Sequence, residues 1–167
     1  MTIEKILIVD DELLIRSFLE ETLRRQDFEV TTAENAKKGI SLIKENTYGL
    51  IFTDMKLPDQ TGLDVIQKVK EYSPSSSIIV ITAFGSIENA VEAMRLGALD
   101  YLIKPFTPDT IEAIIQKTKG YSALKEENAF LRSQVNHGKG SSKKIIAESP
   151  IMKKVVQEAV HVAKSNA

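Results

Sequence analysis

The stretch Lys5-Ile6-Leu7-Ile8-Val9-Asp10-Asp11 ends four apolar residues on two carboxylates, and Leu50-Ile51-Phe52-Thr53-Asp54 repeats the arrangement further along the chain. Short unbroken apolar runs of this kind read as strands of a parallel sheet buried on both faces. In open α/β sheets ligands bind in the crevice beyond the carboxyl ends of the strands. Asp10, Asp11 and Asp54 then share one small pocket. Carboxylates so gathered repel one another unless a cation lies among them, and an all-oxygen donor set with few protein ligands suits Mg²⁺.

Working outward, further β-rich runs stand at Glu29–Thr32, Ile78–Thr82 and Leu99–Ile103, which with Lys5–Val9 and Leu50–Thr53 makes five. Between them lie segments with helical spacing: Leu13, Phe18, Leu19 and Leu23; then Ala36, Ile40 and Ile43; then Leu63, Ile66 and Val69. Ser86 reads as the N-cap of a fourth helix and Gly97 as its C-cap. A fifth starts near Asp109, after Pro108, with Ile111, Ile114, Ile115 and Thr118 on its inner face. Strands alternating with helices imply an α/β fold, a five-stranded parallel sheet with helices on both faces, because right-handed crossovers put them there.

The 167 residues allow one ordinary domain and an appendage. With 22 Lys+Arg against 23 Asp+Glu the net charge is −1, which gives no basic field for nucleic acid, so DNA binding by this chain alone is disfavoured. The absence of cysteine removes disulfides, thiolate metal sites and cysteine nucleophiles, and fits a reducing compartment. No apolar stretch approaches a membrane span, and Glu4 and Asp10 interrupt anything like a signal peptide. A soluble, cytoplasmic protein with no membrane partner is expected.

Beyond Gly120 the helical pattern continues in Tyr121, Leu124, Asn128, Leu131 and Val135, spaced as an a/d heptad seam with Lys125, Glu126, Glu127 and Arg132 as charged flanks. Asn at an a position specifies register in a two-stranded coil, so a parallel homodimer is expected; a frayed helical extension is the plainer alternative. His137-Gly138-Lys139-Gly140-Ser141-Ser142 reads as a flexible break. Pro150 then opens an amphipathic helix carrying Met152, Val155, Val156, Ala159, Val160 and Ala163, with nothing after it to cover its apolar face. The expected organisation is a domain at 1–120, a helical dimerisation linker and break at 121–142, and at 143–167 the start of another domain, so the chain reads as a piece of a longer protein.

The hydroxyl of Thr82 closes the fourth run and Lys104, followed by Pro105, stands just beyond the fifth. Both face the acidic crevice. A phosphoryl group on Asp54 needs such company: a metal cation, a hydroxyl donor and an ammonium. Asp11 and Asp54 hold the metal in this reading, with Asp10 assisting through water or by a salt bridge to Lys104. An acyl phosphate is the natural product, because Asp is a competent nucleophile toward phosphorus.

This constellation resembles the receiver domain of bacterial two-component response regulators over about residues 1–120. The resemblance rests on Val9-Asp10-Asp11-Glu12, on Asp54-Met55-Lys56-Leu57-Pro58-Asp59-Gln60-Thr61-Gly62, on Thr82-Ala83, on Tyr101 and on Lys104-Pro105-Phe106. It implies a flavodoxin-like sheet of order 2-1-3-4-5, Asp54 as phosphoacceptor from a sensor histidine kinase, and the backbone carbonyl of Lys56 as a further Mg²⁺ ligand. It also implies Thr82 and Tyr101 as a switch pair and a cis Lys104-Pro105 bond. Ala83-Phe84-Gly85-Ser86-Ile87, Ala90-Val91-Glu92-Ala93-Met94 and Gly97-Ala98-Leu99-Asp100-Tyr101 are similar to receivers of the NtrC type, transcriptional activators working with sigma-54 polymerase. Glu148-Ser149-Pro150-Ile151-Met152 resembles the opening of their AAA+ ATPase domain. No Gly-x-x-x-x-Gly-Lys-Ser/Thr loop and no helix-turn-helix follow, so binding of ATP, DNA and sigma-54 RNA polymerase is expected of a full-length protein only. The chain itself is expected to be a phosphoacceptor limited to self-phosphorylation and autodephosphorylation.

Plainer readings apply to several residues. An isolated Asp-Asp pair is ordinarily a turn or cap. Glu12 reads as a first-turn residue favoured by the helix dipole, Asp59 as shaping a Pro58-Asp59 turn, Gly62 as a backbone conformation and Asp64 as solvent-facing. The Lys56 side chain is either solvated or lies over the site, and Tyr101 is either packing or switch. His137 and His161 have no ligand partners in the pattern. Two other functions compete. A Mg²⁺-dependent aspartyl phosphatase wants an acid/base carboxylate just after the nucleophile, where position 56 is Lys. A nucleotide-binding doubly wound domain needs a glycine-rich first turn, where residues 10–15 read Asp-Asp-Glu-Leu-Leu-Ile.

Overall fold

The computed structural model describes residues 3–83 and 87–140. In chain order the elements are β1 (Lys5–Val9), α1 (Leu13–Arg24), β2 (Glu29–Ala33), α2 (Ala36–Glu45), β3 (Leu50–Asp54), α3 (Gly62–Tyr72), β4 (Ser77–Thr82), α4 (Ile87–Arg95), β5 (Asp100–Ile103) and α5 (Pro108–Gly140). The strands form one parallel sheet in the order β2-β1-β3-β4-β5. Strand boundaries move by one residue from the sequence reading at Ala33, Asp54, Ser77 and Asp100. Asp54 thereby belongs to β3, paired with Ile81 of β4.

Two apolar cores explain why β1, β3 and β4 are hydrophobic without alternation. Successive side chains on a strand point to opposite faces, so a central strand with helices on both sides is apolar on both faces through its middle. Ile6, Ile8, Phe52, Ile79 and Ile81 pack one face with Leu19 and Leu23 of α1 and Ile111, Ile114 and Ile115 of α5. Leu7, Val9, Ile51, Ile78 and Val80 pack the other with Ile43 of α2, Val65, Ile66 and Val69 of α3 and Ala93 of α4. Leu13 departs from the expected inner face of α1, being 66% exposed. As the first residue of the helix it precedes the turn that meets the sheet.

Local chemistry fixes the helix ends. Asn35 caps α2 by accepting from Lys38 N–H, and Thr61 and Asp64 form a reciprocal capping box on α3. At Gly97, φ is +101°, a conformation open to glycine, and a Schellman pattern closes α4: Gly97 N–H donates to the Met94 carbonyl and Ala98 N–H to that of Ala93. The expected Ser86 cap lies outside the described residues.

The inner face of α5 is as read, with Ile111, Ile114, Ile115 and Thr118 buried; Thr118 Oγ1 donates back to the Ile114 carbonyl at 2.8 Å and so needs no other partner. The helix continues through Gly120 and, unlike the break expected from composition, through His137-Gly138-Lys139-Gly140. A helical glycine costs only about 1 kcal/mol relative to alanine, a penalty the i→i−4 ladder can absorb. Tyr121, Leu124, Leu131 and also Phe130 are exposed apolar residues on it, and Asn128 is exposed. The chain separates into two compact units, Met1–Glu126, which contains the sheet, and Glu127–Ala167. The Val135 side chain, Ser141, Ser142 and the helix expected from Pro150, with His161, lie outside what is described.

Candidate functional site

The site is assembled at the carboxyl ends of β1, β3, β4 and β5, where four consecutive parallel strands stop at nearly one level. Asp10 N–H still pairs with the Ala33 carbonyl at 3.1 Å, so the residue after β1 is held by the sheet itself. Its side chain is fully buried, and Oδ1 accepts from Glu12 N–H at 2.8 Å. Asp54 ends the central strand, and its Oδ1 accepts from Lys56 N–H at 2.9 Å. Thr82 ends β4 and is buried. Lys104 N–H donates to the Thr82 carbonyl at 2.7 Å, which carries β5's register one residue past its end before the cis Lys104-Pro105 bond turns the chain.

Lys104 organises the acids. Its Nζ lies 2.6 Å from Asp54 Oδ2, 2.7 Å from Glu12 Oε1 and 2.9 Å from Asp10 Oδ2. Asp10 and Lys104 thus form a salt bridge, one of the two arrangements that the sequence leaves open. Burial works against the ammonium, but the three carboxylates around it outweigh that and raise its pKa above the ordinary lysine value. Asp10 is pushed up to about 6, first by burial, against which the Lys104 contact and the Glu12 N–H act only in part.

Three carboxylates against one ammonium leave the cluster short of positive charge. Oxygens of Asp10, Glu12 and Asp54 lie within 4.8 Å of one another. Asp10 Oδ2 is buried with no hydrogen-bond partner among the described residues; its contact with Lys104 has the distance of an ion pair without hydrogen-bond geometry. A buried, under-satisfied carboxylate oxygen in an all-oxygen cluster fits a hard divalent cation. Asp11, by contrast, is exposed on the bend between Asp10 and Glu12 and is not a member of this group.

Glu12 is the residue that the first-turn reading passed over. It is the N-cap residue of α1 by position, yet makes no side-chain cap and turns its carboxylate to Lys104 instead. No spacing rule marks it, since the contact joins residues 92 apart in sequence. Asp64, expected to face solvent, closes the capping box by accepting from Thr61 N–H at 2.9 Å, and the Thr61-x-x-Asp64 spacing was a usable signal. Asp59 likewise does more than shape a turn: it accepts from Ala36 N–H at 3.0 Å and Lys37 N–H at 2.8 Å, at the head of α2.

Tyr101 lies on β5, half-buried against the core that contains Val80, and its hydroxyl is buried with no hydrogen-bond partner among the described residues. Gly62, the first residue of α3, lets that helix abut the end of β3: a Cβ there would run into the Asp54 carbonyl oxygen. Among the described residues no helix is long and apolar enough to cross a membrane.

The response regulator receiver domain model matches residues 6–116. The response regulator protein PilR of Pseudomonas aeruginosa is 33% identical over 167 residues, all of this chain but 35% of its own length. The regulatory protein AtoC of Escherichia coli is 30% identical over 165 residues, 99% of this chain and 36% of AtoC. The chain thus spans about a third of the curated relatives it matches. Among solved structures, the beryllofluoride-activated NtrC4 receiver domain dimer is 34% identical with a TM-score of 0.68, covering 71% of this chain and 98% of that one. NtrX from Brucella abortus is 29% identical with a TM-score of 0.73, covering 92% of this chain and 33% of that one.

Proposed function

The chain belongs to the response regulator receiver domain family, and from that premise we propose that it accepts a phosphoryl group on Asp54 from a phosphohistidine of a sensor kinase. The observation that carries this is the pairing of Asp54 Oδ2 with Lys104 Nζ at 2.6 Å, both side chains only 8% exposed. One Asp54 oxygen attacks phosphorus, the phosphorus–nitrogen bond of the donor breaks, and the imidazole leaves with the electron pair. Lys104 meets the incoming phosphoryl oxygens with its ammonium, and the Lys56 N–H keeps the remaining Asp54 oxygen in place.

In this proposal Asp11, which lies outside the Asp10–Glu12–Asp54 cluster on an exposed bend, turns in to join Asp54 and the Lys56 carbonyl as the residues that would hold Mg²⁺, with Asp10 behind them. Bound there, the ion supplies positive charge to the phosphoryl oxygens during transfer. Thr82 then donates its hydroxyl to the phosphorylated site, and Tyr101, whose hydroxyl has no hydrogen-bond partner among the described residues, repositions with it. That pair passes the change to the surface of β5 and to α5, which follows it in sequence.

The remaining parts of the reading concern the longer protein. The seam Tyr121, Leu124, Asn128, Leu131 and Val135 pairs two chains, and phosphorylation rearranges that homodimer to control a sigma-54-activating ATPase and transcription in the cytoplasm. Exposure of Tyr121, Leu124 and Leu131 supports an unmet partner on this helix. The phosphoacceptor is tested by treating the chain with acetyl phosphate and Mg²⁺, reducing the product with borohydride and mapping peptides. Conversion of Asp54 to homoserine is expected; conversion of another acid overturns the assignment.

A further inference from the structure

Asp59 sits at the tip of the loop between β3 and α3, five residues after Asp54 in the sequence. That loop is closed at its base: Gly62 N–H donates to the Met55 carbonyl at 2.8 Å, and Lys56 bridges to Thr61. Its tip is tied elsewhere. The two Asp59 oxygens accept from the first two N–H groups of α2, Ala36 and Lys37, while Asn35 takes the third, Lys38, at 2.8 Å. The head of α2 is therefore capped by two side chains of different origin, one from its own N-cap and one from the loop that bears Lys56. A carboxylate held by two N–H groups at a helix N-terminus gains from both hydrogen bonds and the helix dipole.

We propose that Asp59 is a positioning residue for the phosphoacceptor, clamping the β3–α3 loop to α2 so that Lys56 is fixed against Asp54. This rests on the reading of Asp54 given above. Lys56 is the residue that connects the clamp to the chemistry: its N–H holds Asp54 Oδ1 at 2.9 Å, and its carbonyl is the backbone ligand assigned to the metal. Releasing the tip frees the ring between Met55 and Gly62 to shift, and the Lys56 peptide shifts with it. Asn35 caps the same helix through the Lys38 N–H, so it separates capping from positioning.

The test compares Asp59→Ala, Asp59→Asn and Asn35→Ala in the full chain. Both alanine variants should lower the thermal midpoint, since each strips a cap. Only Asp59→Ala should speed hydrogen exchange of the Lys56 amide and raise the Mg²⁺ concentration for half-maximal phosphorylation by acetyl phosphate, by about 10-fold on the scale of outer partners of metal ligands. Asp59→Asn, which keeps one acceptor, should fall between. Equal Lys56 exchange and equal Mg²⁺ dependence in Asp59→Ala and Asn35→Ala would reduce Asp59 to a cap and overturn the proposal. The amide readout needs no phosphorylation, so a wild-type chain that takes up no phosphoryl group overturns the functional reading separately.

Discussion

Lys104 Nζ and Asp54 Oδ2 meet at 2.6 Å across 50 residues of sequence, joining the end of β5 to the end of β3. The ammonium is enclosed, 8% exposed, with Asp10 and Glu12 completing its surroundings. In the proposed transfer a pair so placed has a cation waiting for the phosphoryl oxygens, with little reorganisation left to make.

Removing that cation and removing a proposed metal ligand should have different consequences for Mg²⁺. In Lys104→Ala the carboxylates lose an ammonium that competes for them, so Mg²⁺ affinity should hold or rise. Phosphorylation should persist slowly while coupling to Thr82 and Tyr101 is lost. In Asp11→Ala both Mg²⁺ binding and labelling should fall. Calorimetric titration with Mg²⁺ checks this, and an equal loss in both variants would refute separate roles.

Gly62→Ala should cost about 1–3 kcal/mol in urea unfolding, the range for forcing atoms into a packed site. The obstacle is backbone, the Asp54 carbonyl oxygen, and cannot rotate away as a flexible side chain can. Phosphorylation should slow along with stability because Asp54, the proposed phosphoacceptor, is displaced. A variant as stable and as fast as wild type would show that α3 can pivot freely.

Without divalent metal, Asp10 should make stability fall as pH rises. Its carboxyl titrates at about 6 when folded against 3.8 ordinarily, so between those values the folded state binds more protons than the unfolded one. Stability then decreases through that window. Urea unfolding of wild type against Asp10→Asn should show the variant gaining relative stability from pH 3.8 to beyond about 6. A constant difference would mean that Asp10 is not strained by its burial.

The helical extension should set the oligomeric state. The full chain should sediment as a dimer, and a chain ending at Lys119 as a monomer before phosphorylation. A few kcal/mol of pairing suffices to favour one state, since each ~1.4 kcal/mol changes a ratio tenfold. Monomers of both at micromolar concentration would make the extension a tether.

The sheet was legible because β1, β3 and β4 carry unbroken apolar runs, Ile6–Val9, Leu50–Phe52 and Ile78–Ile81, a pattern that two-sided burial explains, and Asp10, Asp54, Thr82 and Lys104 were legible as polar residues at strand ends. What escaped were side-chain contacts between distant segments. Glu12 reaches Lys104 and Asp59 reaches α2 through tertiary placement, which local spacing does not encode. The helix through Gly138 escaped for the opposite reason: composition suggested a break where backbone hydrogen bonding continues.

Intact mass after incubation with acetyl phosphate and Mg²⁺, wild type beside Asp54→Asn, tests the central claim most directly. Wild type should gain the mass of one phosphoryl group, lost on treatment with hydroxylamine, and Asp54→Asn should gain none. An Asp54→Asn chain that takes up the same mass at the same rate would contradict Asp54 as the phosphoacceptor.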